Sequence, residues 1–122
     1  MTKEKIVVVA GEFDPLTIDD VRFLMKSKMH GNWLIVGVYS DSWMEICRGG
    51  YTLTRSERSE IVQNIKCVDE VFCFNDNDGS VCNLLKLVKV CYPSADITYI
   101  SKYDMHNMPE TKIRGITFEV LK

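Results

Sequence analysis

Apolar residues along this chain fall into short blocks separated by longer stretches in which polar and apolar residues mix. Five blocks are dominated by apolar residues, at 6–10, 33–39, 71–74, 97–100 and 116–121. A nearly continuous apolar block is typical of a strand that is covered on both faces, as strands of parallel sheets are. The pattern therefore predicts five strands of a parallel sheet.

The stretches between these blocks have helical spacing. The first predicted helix, 18–29, places Val21, Leu24, Met25 and Lys28 on one side and is followed by Gly31. Ser40-Asp41-Ser42 is predicted to cap a short helical turn that runs through Cys47. The third predicted helix begins at the capping-box pattern Thr54-x-x-Glu57. The apolar positions predicted to face inward from the later helices are Ile61, Val62, Ile65, Cys67, Val81, Leu84, Leu85 and Val88.

Strands that alternate with helices form an α/β fold, because right-handed crossovers place the helices on both faces of the sheet. We expect a Rossmann-like open parallel sheet of about five strands and interpret residues 1–122 as a single domain. In such sheets ligands bind beyond the carboxyl ends of the strands, where the strand order reverses. The turn at 11–20 and the loop after Ile100 should meet there.

Composition limits the classes of partner. The chain is 46% hydrophobic and 26% charged, which is ordinary for a globular protein. A net charge of −2, without a cluster of basic residues, argues against nucleic acid as a partner. The N-terminus shows neither a signal-peptide pattern nor an apolar stretch long enough to cross a membrane. We therefore expect a cytosolic protein with no membrane partner.

The cysteines do not indicate a metal site. There are five, none in a C-x-x-C pair, and we expect reduced, mostly buried thiols. His30 and His106 lie far from each other and from any cysteine cluster in sequence. No metal ligands are predicted.

The turn after the first strand carries the strongest functional signal. Residues 11–20 leave a buried-type strand and open a helix, where free N–H groups and the helix dipole suit phosphates. A purely structural interpretation is also open: Thr17 and Asp20 fit a helix cap, with a stabilisation of about 1 kcal/mol. Under that interpretation Phe13 is a core residue and Asp14 ties the turn to the backbone.

Several segments together resemble a known family. Gly11-x-Phe13-Asp14, then Ser40-Asp41, then Arg58 followed by Val68-Asp69-Glu70-Val71, are similar to the cytidylyltransferase-like nucleotidyltransferases, which include glycerol-phosphate cytidylyltransferase. The resemblance implies transfer of a nucleotidyl group from CTP or ATP to a small phosphorylated alcohol, with Mg²⁺ and release of pyrophosphate. It also implies a homodimer, and a nucleotide site that includes Gly11, Phe13, Asp14 and Arg58.

The chain departs from the family where the chemistry should occur. The family turn reads Gly-x-Phe-Asp-x-x-His-x-Gly-His, and Thr17 and Asp20 stand at its two catalytic histidines, with Asp19 at its glycine. Asp19 and Asp20 would place two carboxylates where a polyphosphate should lie, and repulsion between two such charges can reach about 4 kcal/mol at an effective dielectric near 20, unless Mg²⁺ bridges them. After the fourth strand, where the family usually has Gly-Asp near the base and ribose, this chain reads Ser101-Lys102-Tyr103-Asp104. A glycine is lost there, and Lys102 adds a cation near the nucleotide.

The end of the chain is the last departure. Glu110-Thr111-Lys112-Ile113 looks like the family's phosphate-binding Ser/Thr-Thr-x-Ile segment, yet 115–121 reads better as a strand, so we expect that segment to be absent. These departures favour a catalytically impaired or inactive member, a pseudoenzyme. The alternative is an active enzyme that transfers CMP or AMP to a phosphorylated alcohol.

Overall fold

A computed structural model describes residues 4–103 and 108–121. Its five strands form one parallel sheet in the order β3-β2-β1-β4-β5. The strands are β1 Lys5–Gly11, β2 Trp33–Val38, β3 Glu70–Cys73, β4 Asp96–Ser101 and β5 Ile116–Val120. The predicted Rossmann-like sheet is confirmed, with each strand boundary within one residue of the predicted block.

Helices cover both faces of the sheet. They are α1 Ile18–Lys28, α2 Asp41–Arg48, α3 Arg55–Gln63 and α4 Cys82–Cys91, and a 3-10 helix spans Pro109–Lys112. Leu24 of α1 and Val62 of α3 are buried against one face, and α4 buries its apolar stripe against the other. All four predicted inward residues of α4, from Val81 to Val88, are buried.

Some predicted inward residues of α1 and α3 are exposed. Met25 is 56% exposed and Ile61 is 42% exposed. Successive helical residues are about 100° apart, so Leu24 and Ser27 define a narrow buried face that leaves Met25 outside it. On α3 the buried residue is Val62, and its neighbour Ile61 lies about 100° away around the helix, outside the buried face.

The expectation of mostly buried cysteines is also wrong. All five are free thiols, but Cys47, Cys73 and Cys91 are exposed. Cys47 lies on the outer face of α2, and Cys73 and Cys91 are the last residues of an edge strand and of α4. The exposed cysteines have apolar neighbours in the sequence, and that pattern does not show that they face solvent.

The strand order reverses beside β1. From β1 the chain proceeds to β2 and β3 on one side, and then crosses to β4 and β5 on the other. The turn after β1 and the residues after β4 therefore lie at the same edge of the sheet, as predicted. In the described part of the chain, no helix is long and apolar enough to cross a membrane.

Candidate functional site

A cleft of about 510 Å³ opens at this edge of the sheet. It lies among the turn after β1, the end of β4 and the 3-10 helix. Its lining is rich in aromatic and charged side chains. The aromatic residues are Phe13, Phe23, Tyr39, Trp43, Tyr99 and Tyr103, and the charged residues are Glu12, Asp14, Asp20, Arg48, Lys102 and Glu110.

The first part of the turn holds itself in shape. Phe13 adopts a φ of 53° and is 8% exposed. Gly11 leaves room for the Phe13 ring, because a Cβ atom at Gly11 would lie 2.6 Å from Phe13 Cζ. Asp14 accepts hydrogen bonds from the backbone N–H groups of Thr52 and Leu53, both at 2.7 Å. Gly11, Phe13 and Asp14 all line the cleft. The contacts just described also hold the turn in its conformation and attach it to the segment at Thr52 and Leu53.

Thr17 and Asp20 form a capping box at the start of α1. The Thr17 N–H and hydroxyl donate to Asp20 Oδ2 at 2.9 and 3.0 Å, and the Asp20 N–H donates to Thr17 Oγ1 at 3.2 Å. The helix cap predicted for these two residues is therefore present. Asp20 also lines the cleft, whereas Thr17 does not.

The two aspartates of α1 differ in their relation to the cleft. Lys102 Nζ lies 3.8 Å from Asp20 Oδ1 and 4.9 Å from the centre of the Phe23 ring. The Asp19 side chain is 85% exposed, lies 3.9 Å from Arg22, and is not part of the lining. Of the two carboxylates predicted to repel a polyphosphate, Asp20 lines the cleft and Asp19 does not, and Lys102 places a cation beside Asp20.

Arg58 lies beneath the cleft and does not line it. Its side chain is 0% exposed. The guanidinium donates to the carbonyls of Leu53, Glu12 and Tyr39, each at 2.9 Å, and to Asp41 Oδ1 at 2.8 Å. Every guanidinium nitrogen is therefore bound to segments that shape the cleft, and the predicted nucleotide contact by Arg58 stays a prediction.

Arg48 is a cleft residue that sequence reasoning missed. Its Nε and Nη2 donate to the two Glu12 oxygens at 3.0 and 2.7 Å, and its guanidinium carbon lies 5.6 Å from the Trp43 ring centre. Arg48 is the last residue of α2, directly before Gly49-Gly50. That position before a double-glycine break is the signal that could have identified it.

An aromatic group and a buried acid form the other side of the cleft. Tyr39 stacks on Trp43, with ring centres 4.1 Å apart and an interplanar angle of 20°. Glu110 is 2% exposed and accepts a hydrogen bond from the Val81 N–H at 2.9 Å. Burial, with the negative charge of Glu110 as the next cause, raises the pKa of Tyr39 to about 12. Burial likewise raises the pKa of Tyr99.

The position of the cleft at this edge of the sheet agrees with a match between this sequence and a known protein family. The profile of the cytidylyltransferase-like family matches residues 8–116. The chain belongs to this family. The match spans both sides of the cleft, from β1 to the first residue of β5. The predicted membership of this family is thereby confirmed.

Relatives of this cytidylyltransferase-like chain include nucleotidyltransferases. An FAD synthase from Thermococcus sibiricus is 32% identical over 129 aligned positions, which cover 100% of this chain and 83% of the relative. A bifunctional protein HldE from Geobacter metallireducens is 32% identical over 93 residues, which cover 75% of this chain. The aligned region spans 18% of HldE, so this chain corresponds to a small part of that protein.

A solved structure shows the same fold. A lipopolysaccharide core biosynthesis protein from Thermoplasma volcanium superposes with a TM-score of 0.72. The superposition covers 96% of this chain and 93% of that protein, at 23% sequence identity. At that identity the similarity establishes the shared fold.

Nucleotidyltransferase-like proteins commonly use a nucleoside triphosphate with Mg²⁺, and the carboxylates of this cleft do not form a cage for the metal. Both Asp14 oxygens accept backbone bonds, and Asp20 is shared between Thr17 and Lys102. Within 4–103 and 108–121, no group of three or more His, Cys, Asp or Glu side chains could hold an ion. These side chains therefore do not supply a ligand set for Mg²⁺.

Proposed function

We propose that this cytidylyltransferase-like protein binds a nucleoside triphosphate, CTP or ATP, in the cleft, and that its nucleotidyl transfer is impaired or lost. The capping box of Thr17 and Asp20 carries the proposal. Catalysis at a phosphate requires hydrogen-bond donors directed at the charge that develops in the transition state. Here the Thr17 hydroxyl donates to Asp20, and an ionised Asp20 has no proton to donate.

The cleft retains features that support binding. Lys102 and Arg48 are cations on its lining, and aromatic rings cover much of its wall. Membership of a nucleotide-binding family adds to this support. Since no protein cage for a metal is present among the described residues, Mg²⁺ would arrive with the nucleotide, which commonly supplies part of its coordination. We also expect a homodimer, as the family resemblance implies.

The first test measures pyrophosphate release. The purified chain is incubated with Mg²⁺, CTP or ATP, and a small phosphorylated alcohol such as glycerol 3-phosphate. We expect no release above the rate without protein, in a buffer where nucleotide binding is measured in parallel. Loss of a single transition-state donor typically lowers kcat by about 10²–10³. Sustained turnover would contradict the proposed impairment and support the active-enzyme alternative.

The second test compares two adjacent aspartates as a matched pair. Asp20→Ala removes the carboxylate that lines the cleft and pairs with Lys102, whereas Asp19→Ala removes an exposed carboxylate outside the lining. We expect the first variant to bind triphosphate about fivefold more tightly at low salt, because a nearby negative charge is removed and Lys102 is released. The second should change affinity less than twofold. Equal effects would show that Asp20 does not limit binding.

A further inference from the structure

The four carboxylates that line the cleft differ in how their oxygens are satisfied. Asp14 accepts two backbone bonds, and both Glu12 oxygens accept hydrogen bonds from Arg48. Asp20 contacts Thr17 through one oxygen and Lys102 through the other. Glu110 is the exception: its Oε2 accepts the Val81 N–H, and its Oε1 is buried without a partner among the described residues.

A helix cap does not account for this arrangement. Val81 is the N-cap residue of α4, and the Glu110 carboxylate at that end is favourable for the helix dipole. The cap uses one oxygen, however, and the Ser80 hydroxyl already accepts from the Cys82 N–H at 3.2 Å. Leaving the second oxygen of a buried acid unpaired is costly. That cost is removed when a ligand donates a hydrogen bond to it.

The surroundings of Glu110 suit a flat ring. Its charge acts on the hydroxyls of both Tyr39 and Tyr99, which line the same cleft. Trp43, stacked on Tyr39, has an indole N–H that is also buried without a partner among the described residues. Aromatic side chains bind nucleobases by stacking, and polar atoms beside them select the base.

We propose that Glu110 determines base specificity: its Oε1 accepts a hydrogen bond from the exocyclic amino group of adenine or cytosine. This proposal rests on the proposed nucleotide binding. A base with a carbonyl oxygen at that position would be repelled by the carboxylate. A guanine edge offers two adjacent donors and suits a carboxylate with both oxygens free, whereas one Glu110 oxygen is already occupied by Val81.

The wild-type protein gives the first test without any substitution. Calorimetric titration with Mg²⁺ compares ATP with ITP, and CTP with UTP, since each pair differs in the amino group. We expect the amino-bearing member to bind at least about tenfold more tightly, which corresponds to 1.4 kcal/mol. Affinities equal within twofold would overturn the role of Glu110 and leave nucleotide binding intact. Absence of binding by all four nucleotides would overturn both proposals.

Glu110→Gln locates the selectivity at this side chain. The amide oxygen can still accept from the Val81 N–H, and the amide nitrogen becomes a donor where the carboxylate accepted. We expect the tenfold preference to be lost or reversed, while Glu45→Gln, on an exposed position of α2, retains it. Thermal unfolding of each variant confirms that it is folded. A folded Glu110→Gln protein that keeps the wild-type preference would overturn the proposal.

Discussion

The two sides of the cleft differ in how completely their polar groups are satisfied. On the side of the β1–α1 turn, Asp14, Thr17 and Asp20 have partners within the protein. On the side of the 3-10 helix, Glu110 and Trp43 each keep a buried polar atom without a partner among the described residues. The three side chains of the first side have their partners without a ligand. The second side gains hydrogen bonds only when something binds.

This difference separates the fold of the family from its chemistry. Where the family resemblance implies catalytic donors, this chain has a helix cap, which stabilises α1 and uses the Thr17 hydroxyl as a donor to Asp20. Where we propose that the base binds, the polar groups are poised for a ligand. A protein built in this way is expected to bind nucleotides better than it transforms them.

The largest effect should follow from breaking the support of the turn at Arg58. Arg58→Met leaves Asp41 without its buried partner and three carbonyls without their donors. Removing one member of a buried ion pair costs about 3–5 kcal/mol. We expect a loss of that size in the free energy of unfolding, measured by urea denaturation.

Arg22→Met is the matched control, because Arg22 is an exposed arginine of α1. Its effect should stay within about 0.5 kcal/mol. An equally small effect of Arg58→Met would contradict the structural role assigned to Arg58.

A smaller effect should follow from breaking the capping box. Thr17→Ala removes the hydroxyl that accepts from the Asp20 N–H and should lower the free energy of unfolding by about 1 kcal/mol. Urea denaturation measures this, with the exposed Thr52→Ala as the control. A triphosphate affinity that falls tenfold in Thr17→Ala, with stability unchanged, would instead point to a ligand contact by Thr17.

The smallest effect concerns the ionisation of Tyr39. Its pKa is raised to about 12, so the folded protein holds the phenolic proton more tightly than the unfolded chain does. The resulting contribution to stability is complete below pH 10.0, the ordinary value, and is lost as the pH rises to about 12. The difference in ultraviolet absorbance between the wild-type protein and Tyr39→Phe, followed as the pH rises, isolates the ionisation of Tyr39. Because the negative charge of Glu110 contributes to the shift, Glu110→Gln should lower the pKa of Tyr39. An unchanged pKa would show that the charge of Glu110 does not act on the Tyr39 hydroxyl.

Local patterns predicted most of the fold. The blocks of apolar residues identified all five strands, and the capping-box spacing at Thr54 and Glu57 identified the start of α3. These features depend on residues a few positions apart. The exposed Met25 and Ile61 escaped prediction, because helical spacing gives the direction of an apolar face but not its width.

The site was less predictable, because its contacts join distant parts of the chain. Arg58 reads as an exposed helical charge, and only the fold brings it to the carbonyls of Glu12 and Tyr39. Lys102 lies close to Asp20 across the edge of the sheet, so two departures from the family sequence that are far apart in the chain are in contact. Glu110 accepts its hydrogen bond from Val81 at the start of α4, 29 residues earlier in the chain.

The most direct test of nucleotide binding is a thermal-shift titration of the wild-type protein with CTP, ATP and GTP, each with and without Mg²⁺. Binding to the folded state raises its stability by RT ln(1 + [L]/Kd), about 2.7 kcal/mol at a hundredfold excess over Kd. We predict a concentration-dependent rise in the unfolding temperature with ATP or CTP, larger than with GTP. A flat response to millimolar concentrations of all three nucleotides would contradict the account.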